Sequence, residues 1–169
     1  YTGCRLEEIC QLYISDIKQV EGIWVLDINE DRPDKSVKTH ERRLVPLHPF
    51  VAEELRFVNF SKGLSDQKGR VFPNLKRIND RYGHGVSQWF GRFCKRCGVK
   101  GKNLRHKKVF HSFRHTVANH LKQKDVPYAY IAELLGHKLE GVTLGRYAKR
   151  YEIKQLLNES VLKLDFGVN

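Results

Sequence analysis

Six residues are of the right types to break a phosphodiester bond without a metal ion: Arg5, Lys38, His111, Arg114, His137 and Tyr147. Such a cleavage needs a nucleophile, cations around the non-bridging oxygens and a proton donor for the leaving oxygen. Arginine suits the phosphate because its planar guanidinium binds two oxygens at once and stays charged. A tyrosine hydroxyl, with a pKa of about 10, becomes a nucleophile when neighbouring cations favour the phenolate.

These residues lie in short segments that follow one another along the chain: Thr2-Gly3-Cys4-Arg5-Leu6-Glu7-Glu8, Lys38, His111-Ser112-Phe113-Arg114-His115, Leu135-Gly136-His137 and Gly145-Arg146-Tyr147-Ala148-Lys149. The set resembles the tyrosine recombinase, or phage integrase, family. The catalytic domains of that family carry a Thr-Gly-x-Arg-x-x-Glu box, a hairpin lysine, a His-x-x-Arg motif, a Leu-Gly-His motif and a C-terminal tyrosine. The resemblance covers positions 2 to 149. Each motif is weak alone, but all of them in this order are specific.

The resemblance implies how a phosphate would be held. Arg5 and Arg114 would clamp the scissile phosphate, and His137 would donate a hydrogen bond to one of its oxygens. Glu8 lies three residues after Arg5, so that on a helix both side chains face the same way. We expect Glu8 to orient Arg5 or His111 rather than to react.

The resemblance also implies the covalent chemistry. Tyr147 would attack the phosphate and leave a 3′-phosphotyrosyl bond and a free 5′-hydroxyl, while His111 handles the tyrosine proton. Lys38 would protonate the leaving oxygen. Rejoining reverses these steps. Because the phosphotyrosine conserves the bond energy, neither ATP nor a metal nor any other cofactor is implied.

Two of these positions have rivals nearby in the sequence. Lys35 lies three residues before Lys38 in the same polar stretch, but the sequence from Lys38 to Leu47 resembles the family pattern and favours Lys38. Tyr151 lies four residues after Tyr147, and the Gly-Arg-Tyr-Ala-Lys context favours Tyr147.

Each motif also has an ordinary structural interpretation. Arg5 could belong to a simple ion pair on a helix, and His137 after Gly136 could cap a helix end. His111 and Arg114 could contact backbone phosphates at a helix start without any catalysis. The order of the motifs argues against all three.

The cysteine pattern offers one competing motif. Cys94 and Cys97, with His106 and His111 beyond them, imitate a zinc-binding spacing. Both cysteines fall on the apolar face of a predicted helix, whereas zinc knuckles place such a pair in a turn. We therefore expect core cysteines and no metal site.

The positive charge of the chain is concentrated in one segment. The sequence has 31 Lys and Arg against 19 Asp and Glu, a net charge of +12, and residues 81–124 contain twelve of the basic residues and no acidic one. Outside this segment the two signs balance, so we expect a polyanionic partner, of which nucleic acid is the commonest. Five basic residues are expected to contact DNA phosphates without reading sequence: Lys100, Lys102, Arg105, Lys107 and Lys108.

Hydrophobic periodicity predicts a mainly helical chain with one small antiparallel sheet. Strands are predicted at 22–28 and 42–47, joined by a long polar loop, with a short extended piece at 71–73. Helices are predicted at 5–14, 48–60, 86–97, 112–124, 127–135, 143–149 and 152–163. The apolar face of the helix at 86–97 is expected to contain Val86, Phe90, Phe93, Cys94 and Cys97.

These observations predict an α+β domain with the tyrosine recombinase catalytic fold. The sequence lacks Met and opens inside a motif, so we expect residues 1–169 to be one catalytic domain without its upstream core-binding domain. By resemblance, the function would be site-specific recombination of double-stranded DNA by a homotetramer that exchanges residues 152–169 between protomers; the free protein could be monomeric.

Neither an export signal nor an apolar run of about 18 residues is evident, so we expect a cytoplasmic protein. The alternatives are a non-catalytic basic DNA-binding module, a type IB topoisomerase-like enzyme and a metal-free nuclease.

Overall fold

A three-stranded antiparallel sheet forms one side of the molecule. The computed structural model describes residues 1–99, 108–137 and 150–167. Strands β1 (Ile17–Val20), β2 (Ile23–Ile28) and β3 (Arg43–Pro46) pair in the order β1-β2-β3. The central strand β2 and the edge strand β3 are nearly inaccessible to solvent along most of their length, so a one-residue shift in register would place polar side chains in the core.

Helices cover the sheet and supply the rest of the core. They are α1 (Leu6–Cys10), α2 (Phe57–Lys62), α3 (Gly83–Arg96), α4 (Ser112–Gln123), α5 (Tyr128–Leu135) and α6 (Ile153–Glu159). Short 3₁₀ turns at Ile14–Asp16 and Val161–Lys163 and a π-helical turn at Phe50–Glu54 complete the regular structure of the described residues. None of the described helices is long and apolar enough to cross a membrane.

The core joins the sheet to the C-terminal helices. Leu26 and Val45 from the sheet lie in one cluster with Leu121 of α4, Leu134 of α5 and Leu156 of α6. Burying aliphatic side chains of this size contributes about 1.5–3 kcal/mol each. The apolar faces of α4 and α5 therefore fix these two helices, and the motifs at their ends, against the sheet.

The C-terminal segment packs within its own chain. Ile153 and Leu156 of α6, followed by Val161 and Leu164, are all buried. The predicted helix at 152–163 is thus present as α6 and a 3₁₀ turn. The predicted short helix at 143–149 lies outside the described residues.

The predicted helix at 5–14 was too long. Helix α1 ends at Cys10, and the following backbone pairs with a distant segment: Ile14 N–H donates to the Gly69 carbonyl at 3.1 Å, and Val71 N–H donates to the Leu12 carbonyl at 2.8 Å. These long-range hydrogen bonds within the chain take the place of further helical turns. Strand β1, which follows, was not predicted.

Two further helix predictions needed correction. The predicted helix at 48–60 is broken at Arg56, whose φ of 52° is left-handed. Helix α3 begins at Gly83 rather than 86, because the Glu7 carboxylate accepts the Tyr82 and Gly83 N–H groups at 2.6 and 2.9 Å and so caps the helix.

The predicted apolar face of α3 was also partly wrong. Cys94 is buried, whereas Phe93 is 40% exposed and Cys97 is exposed. Phe93 stacks instead on the exposed ring of Trp89, with the ring centroids 5.4 Å apart. This pair lies on the exposed face of α3, whose described residues pack mainly against α1.

Candidate active site

Four segments meet where the sequence motifs come together. They are the N-terminal turn that leads into α1, strand β3, the start of α4 and the end of α5. Arg5 and Glu8 come from the first and Arg114 comes from α4, while His137 follows the last residue of α5. The helix and strand ends are held together by two buried guanidinium groups, described below.

Glu8 binds the guanidinium groups of Arg5 and Arg43. It accepts hydrogen bonds from Arg5 Nη1 at 2.9 Å and from Arg43 Nη2 at 2.7 Å, and its side chain is 1% exposed. It also accepts the Arg5 backbone N–H at 2.8 Å. Burial alone would raise the pKa of Glu8, but the hydrogen bonds and charge of Arg43, together with the bonds from Arg5, lower it below its usual value. Glu8 is therefore an anion that binds both the side chain and the backbone N–H of Arg5.

Arg114 ties the N-terminal turn to the end of α5. Its Nη1 donates to the Gly3 carbonyl at 2.8 Å, and its Nη2 donates to the Leu135 carbonyl at 2.5 Å. The Leu135 carbonyl is one of the groups that a helix leaves without an internal partner. Each terminal nitrogen keeps a second N–H, and Nε–H is also available for a ligand. Burial, followed by the charge of Arg5, lowers the pKa of Arg114 to about 10. An anion bound here would relieve that cost.

Two glycines allow these close approaches. Gly3 has φ of +61°, and a Cβ on it would lie 2.3 Å from Leu135 Cδ2. Gly136 ends α5 with φ of +66°, and a Cβ there would lie 2.9 Å from Arg43 Nη1. The glycines of both motifs are thus required for packing as well as for backbone conformation.

Both candidate histidines lie near enough to the arginines for their charge to affect the imidazole pKa values. His111 caps the start of α4, and His137 follows the left-handed Gly136 at the end of α5; both are exposed. Partial burial, and then the neighbouring cations, lower the pKa of each: His115 and Arg114 act on His111, and Arg114 and Arg5 act on His137. The free site therefore favours neutral imidazoles.

The two rival lysines have different environments. The side chain of Lys35 is 2% exposed, and its ammonium group donates to Asp16 Oδ2 at 2.8 Å and to Asn29 Oδ1 at 2.6 Å. Lys38 is exposed. Because Lys35 is committed to buried partners, Lys38 is the lysine of this loop that can approach a ligand.

Lys38 lines an open cleft of about 650 Å³ next to the clustered arginines. The cleft lies between the β2–β3 loop and the start of α3, and its lining includes Arg5, Glu8, Lys38, His40, Arg81 and His84. Lys38 is also among the cations that lower the pKa of His111. Arg5 and Lys38 thus line one cleft, and the charges of Arg5 and Arg114 lower the pKa of both His111 and His137.

Several predicted residues lie outside the described part of the chain. They are Tyr147 and the basic residues Lys100, Lys102, Arg105 and Lys107. Lys108 is described and exposed. The rival Tyr151 is also described: its N–H donates to Glu133 Oε1 at 3.1 Å, and its ring stacks on Tyr130 at a centroid distance of 4.0 Å.

The described residues contain no cluster of three His, Cys, Asp or Glu side chains that could hold a metal ion. Cys94 is buried and Cys97 is exposed at the end of α3. The prediction of core cysteines was therefore right for Cys94 and wrong for Cys97. His106 lies outside the described residues.

Arg43 is the site residue that was not assigned a role from the sequence. It is 3% exposed, binds Glu8, and donates through Nε to the Leu134 carbonyl at 3.3 Å. The sequence signal was its position in an otherwise apolar strand, where a charged side chain requires a buried partner.

The comparison with protein families gives a direct assignment. The model of the phage integrase family matches residues 1–153, and the chain belongs to this family. Among curated proteins, it is 31% identical over 149 residues to a probable integrase/recombinase of Methanocaldococcus jannaschii, covering 85% of this chain and 41% of that protein. It is also 31% identical over 138 residues to a tyrosine recombinase of Thermosipho africanus, covering 81% and 42% of the two chains. The chain therefore spans about two fifths of the length of these relatives.

Solved structures confirm the predicted fold class. A structure of the XerA recombinase matches with a TM-score of 0.56 and 20% identity, over 94% of this chain and 51% of that one. A pre-cleavage complex of the XerH site-specific recombinase bound to difH substrate matches with a TM-score of 0.53 and 22% identity, over 94% and 42%. The fold is that of a tyrosine recombinase catalytic domain.

Proposed function

We propose that this chain is the catalytic domain of a site-specific DNA recombinase that cleaves and rejoins DNA through a 3′-phosphotyrosyl intermediate on Tyr147. The observation that carries the proposal is the convergence of Arg5, Arg114, His111 and His137 from separate segments on one region. The arginines of this region carry more positive charge than Glu8 balances, and a phosphate group would supply the missing counter-charge.

The proposed reaction exchanges one phosphate ester for another. The Tyr147 oxygen forms a bond to phosphorus while the bond to the 5′ oxygen breaks, and Arg5 and Arg114 neutralise the charge on the non-bridging oxygens. His111 takes the tyrosine proton, which its lowered pKa supports because the imidazole is then neutral. Lys38 gives a proton to the leaving oxygen. Rejoining by a 5′-hydroxyl reverses every transfer, so no energy source is consumed.

The proposed partners follow from charge and from the family. Double-stranded DNA is the substrate, and the basic residues Lys100, Lys102, Arg105, Lys107 and Lys108 contact its backbone. We further propose that the protein acts in the cytoplasm as a homotetramer on paired sites, and that additional DNA contacts come from a domain outside this chain.

A covalent trapping assay tests the proposal. The protein is incubated, with a chelator present, with a pool of duplexes of randomised sequence, each nicked in one strand so that a short 5′-hydroxyl product diffuses away. Adducts that survive denaturation are isolated and sequenced to define a substrate. We expect an adduct in the wild type and in Tyr151→Phe, and none in Tyr147→Phe.

The other outcomes identify the alternative functions. Cleaved DNA without an adduct would mean a nuclease. Binding that is unchanged in Tyr147→Phe, with neither cleavage nor adduct, would mean a DNA-binding module. Adduct formation together with relaxation of supercoiled DNA, but without strand exchange between two sites, would mean a topoisomerase-like enzyme.

A further inference from the structure

The backbone of Ser36, two residues before Lys38, is clamped by a buried side chain at the end of α1. Gln11, at the end of α1, is 1% exposed. Its Nε2 donates to the Ser36 carbonyl at 2.9 Å, and its Oε1 accepts the Ser36 N–H at 2.9 Å. The carboxamide therefore pairs with both backbone groups of Ser36, as a neighbouring strand residue would. Among the side chains, only the carboxamides of glutamine and the shorter asparagine place an N–H donor beside a C=O acceptor in this way.

Further contacts prevent the loop from moving around this clamp. Lys35 is anchored on Asp16 and Asn29, as described above. Val37 is 1% exposed in the core, and its N–H donates to a carboxylate oxygen of Glu30. The His40 N–H donates to the Val37 carbonyl at 2.9 Å and closes a turn over Lys38. The residues on both sides of Lys38 are therefore fixed, while its side chain projects to the surface.

The clamp connects the two halves of the site. Arg5, which is held by Glu8, immediately precedes helix α1, and Gln11, which holds the loop of Lys38, immediately follows it. One short helix thus sets the position of a phosphate-binding group and that of the proposed proton donor. A general acid must be within about 2.6–3.2 Å of the oxygen that it protonates, and a misplacement of about 1 Å can cost 10²-fold in rate.

We propose that Gln11 is a positioning residue that holds the Lys38 loop in register with Arg5, so that proton donation to the leaving oxygen depends on the Gln11 carboxamide. This inference rests on the proposed function. Gln11 does not contact the substrate; it acts through the backbone of Ser36. Its loss should therefore impair one step only, the protonation of the leaving group, and leave phosphate binding by Arg5 and Arg114 intact.

The test uses a leaving group that needs no proton. In DNA whose bridging 5′ oxygen at the scissile phosphate is replaced by sulfur, the tyrosine–phosphorus bond forms and the phosphorus–sulfur bond breaks, releasing a thiolate. A thiol has a pKa of about 8.5, far below that of an alcohol, so the thiolate departs unprotonated. Single-turnover rates of adduct formation are compared on oxygen and sulfur substrates of the sequence recovered by trapping.

Gln11→Leu keeps the volume and removes both hydrogen bonds, and Gln11→Glu removes only the donor. We expect Gln11→Leu to be slower than wild type on oxygen DNA by roughly 10–100-fold, and to return to within a few-fold of wild type on sulfur DNA. Lys38→Ala should behave in the same way as Gln11→Leu. Arg5→Lys should be slow on both substrates. Gln67→Leu is the same change at an exposed glutamine and should match the wild type. Thermal unfolding confirms that every variant is folded at the assay temperature.

Two results would overturn the inference while leaving the proposed function standing. In the first, Gln11→Leu reacts at the wild-type rate on oxygen DNA. In the second, it is slowed equally on both substrates, which would indicate a general structural defect. If the wild type forms no adduct on either DNA, the recombinase function itself fails and the inference falls with it.

Discussion

At the scale of single residues, Glu8 is the counter-ion on which the site depends. It is the carboxylate that Arg5 and Arg43 share, and it is buried together with Arg43. This buried pair of charges is costly to desolvate, but removing one member leaves the charge of the other uncompensated. The arrangement therefore makes the geometry of Arg5 sensitive to a residue that takes no part in bond breaking.

We predict that Glu8→Gln lowers the free energy of unfolding by about 3–5 kcal/mol, because it leaves buried positive charge unpaired. The measurement is urea unfolding of the wild type and the variant. Glu159→Gln is the control: Glu159 is 48% exposed and pairs with Lys163 at 3.3 Å, so its loss should cost about 0–1 kcal/mol. Equal effects of the two substitutions would contradict the importance of the buried pair.

The two site histidines predict how stability depends on pH. Their pKa values in the folded chain lie below the unfolded value of 6.5, so the unfolded chain binds protons first as the pH falls. Stability is therefore fully present above about pH 6.5, decreases as the pH falls toward the folded pKa values, and is constant below them.

We expect the variant with His111→Gln and His137→Gln to lose part of this dependence. Urea midpoints measured between roughly pH 7.5 and 5.5 should fall less for this double variant than for the wild type. Parallel curves for the two proteins would show that the free site does not favour neutral imidazoles.

At the scale of elements, the end of α5 places three groups at once. The carbonyls of Leu134 and Leu135 accept from Arg43 and Arg114, and Gly136 turns the chain so that His137 follows. Guanidinium groups are favourable here because the carboxyl end of a helix carries partial negative charge. This one helix end thus positions two arginines and a histidine.

We predict that Gly136→Ala is more damaging than Gly98→Ala. Both glycines follow a helix with similar φ values of +66° and +67°, but a Cβ at Gly98 has no atom of the described residues within 4 Å, whereas one at Gly136 meets Arg43 at 2.9 Å. Both variants should lose about 1–2 kcal/mol to the left-handed conformation, and Gly136→Ala about 1–3 kcal/mol more from overpacking. Equal losses in urea unfolding would mean that Arg43 moves aside freely.

The sequence predicted the elements whose periodicity was long and whose ends were marked. Helices α4 and α5 and strands β2 and β3 were placed within a residue or two of their observed bounds. Strand β1 was missed because Lys18 and Gln19 weaken its alternation, although the two residues between it and β2 were a turn signal. Helix α1 was overextended because its apolar spacing continues into residues that bond instead to the segment around Gly69.

The candidate site was predictable only as far as the motifs reached. The motifs named Arg5, Arg114, His111 and His137, and the structure brings these residues together. The role of Arg43 was hidden because its partner Glu8 is 35 residues away in sequence. No local sequence pattern predicts a contact between residues at that separation. The contact forms only because the fold places β3 beside α1.

At the scale of the whole molecule, the concentration of positive charge between residues 81 and 124 predicts a salt dependence. Each phosphate contact that is lost should reduce the slope of log affinity against log salt by roughly 0.9. Lys107→Gln with Lys108→Gln should therefore flatten the slope measured by fluorescence anisotropy on duplex DNA. Lys68→Gln with Lys154→Gln changes the net charge equally, at exposed positions outside the segment, and should leave the slope nearly unchanged. Equal flattening by both pairs would indicate that net charge alone governs binding.

The two ends of the described chain lie against each other. The ring of Tyr1 packs on that of Phe166 with the centroids 5.0 Å apart, and Tyr1 also contacts His48 and Phe50. Because Tyr1 and Phe166 are neighbours, a short linker could join the chain near these two residues, and new termini could be opened in the exposed loop around Asp66 and Lys68. Such a circular permutant would keep the described contacts of the site while moving the chain ends to this loop, so that the attachment point of a fused partner could be varied separately from the chemistry.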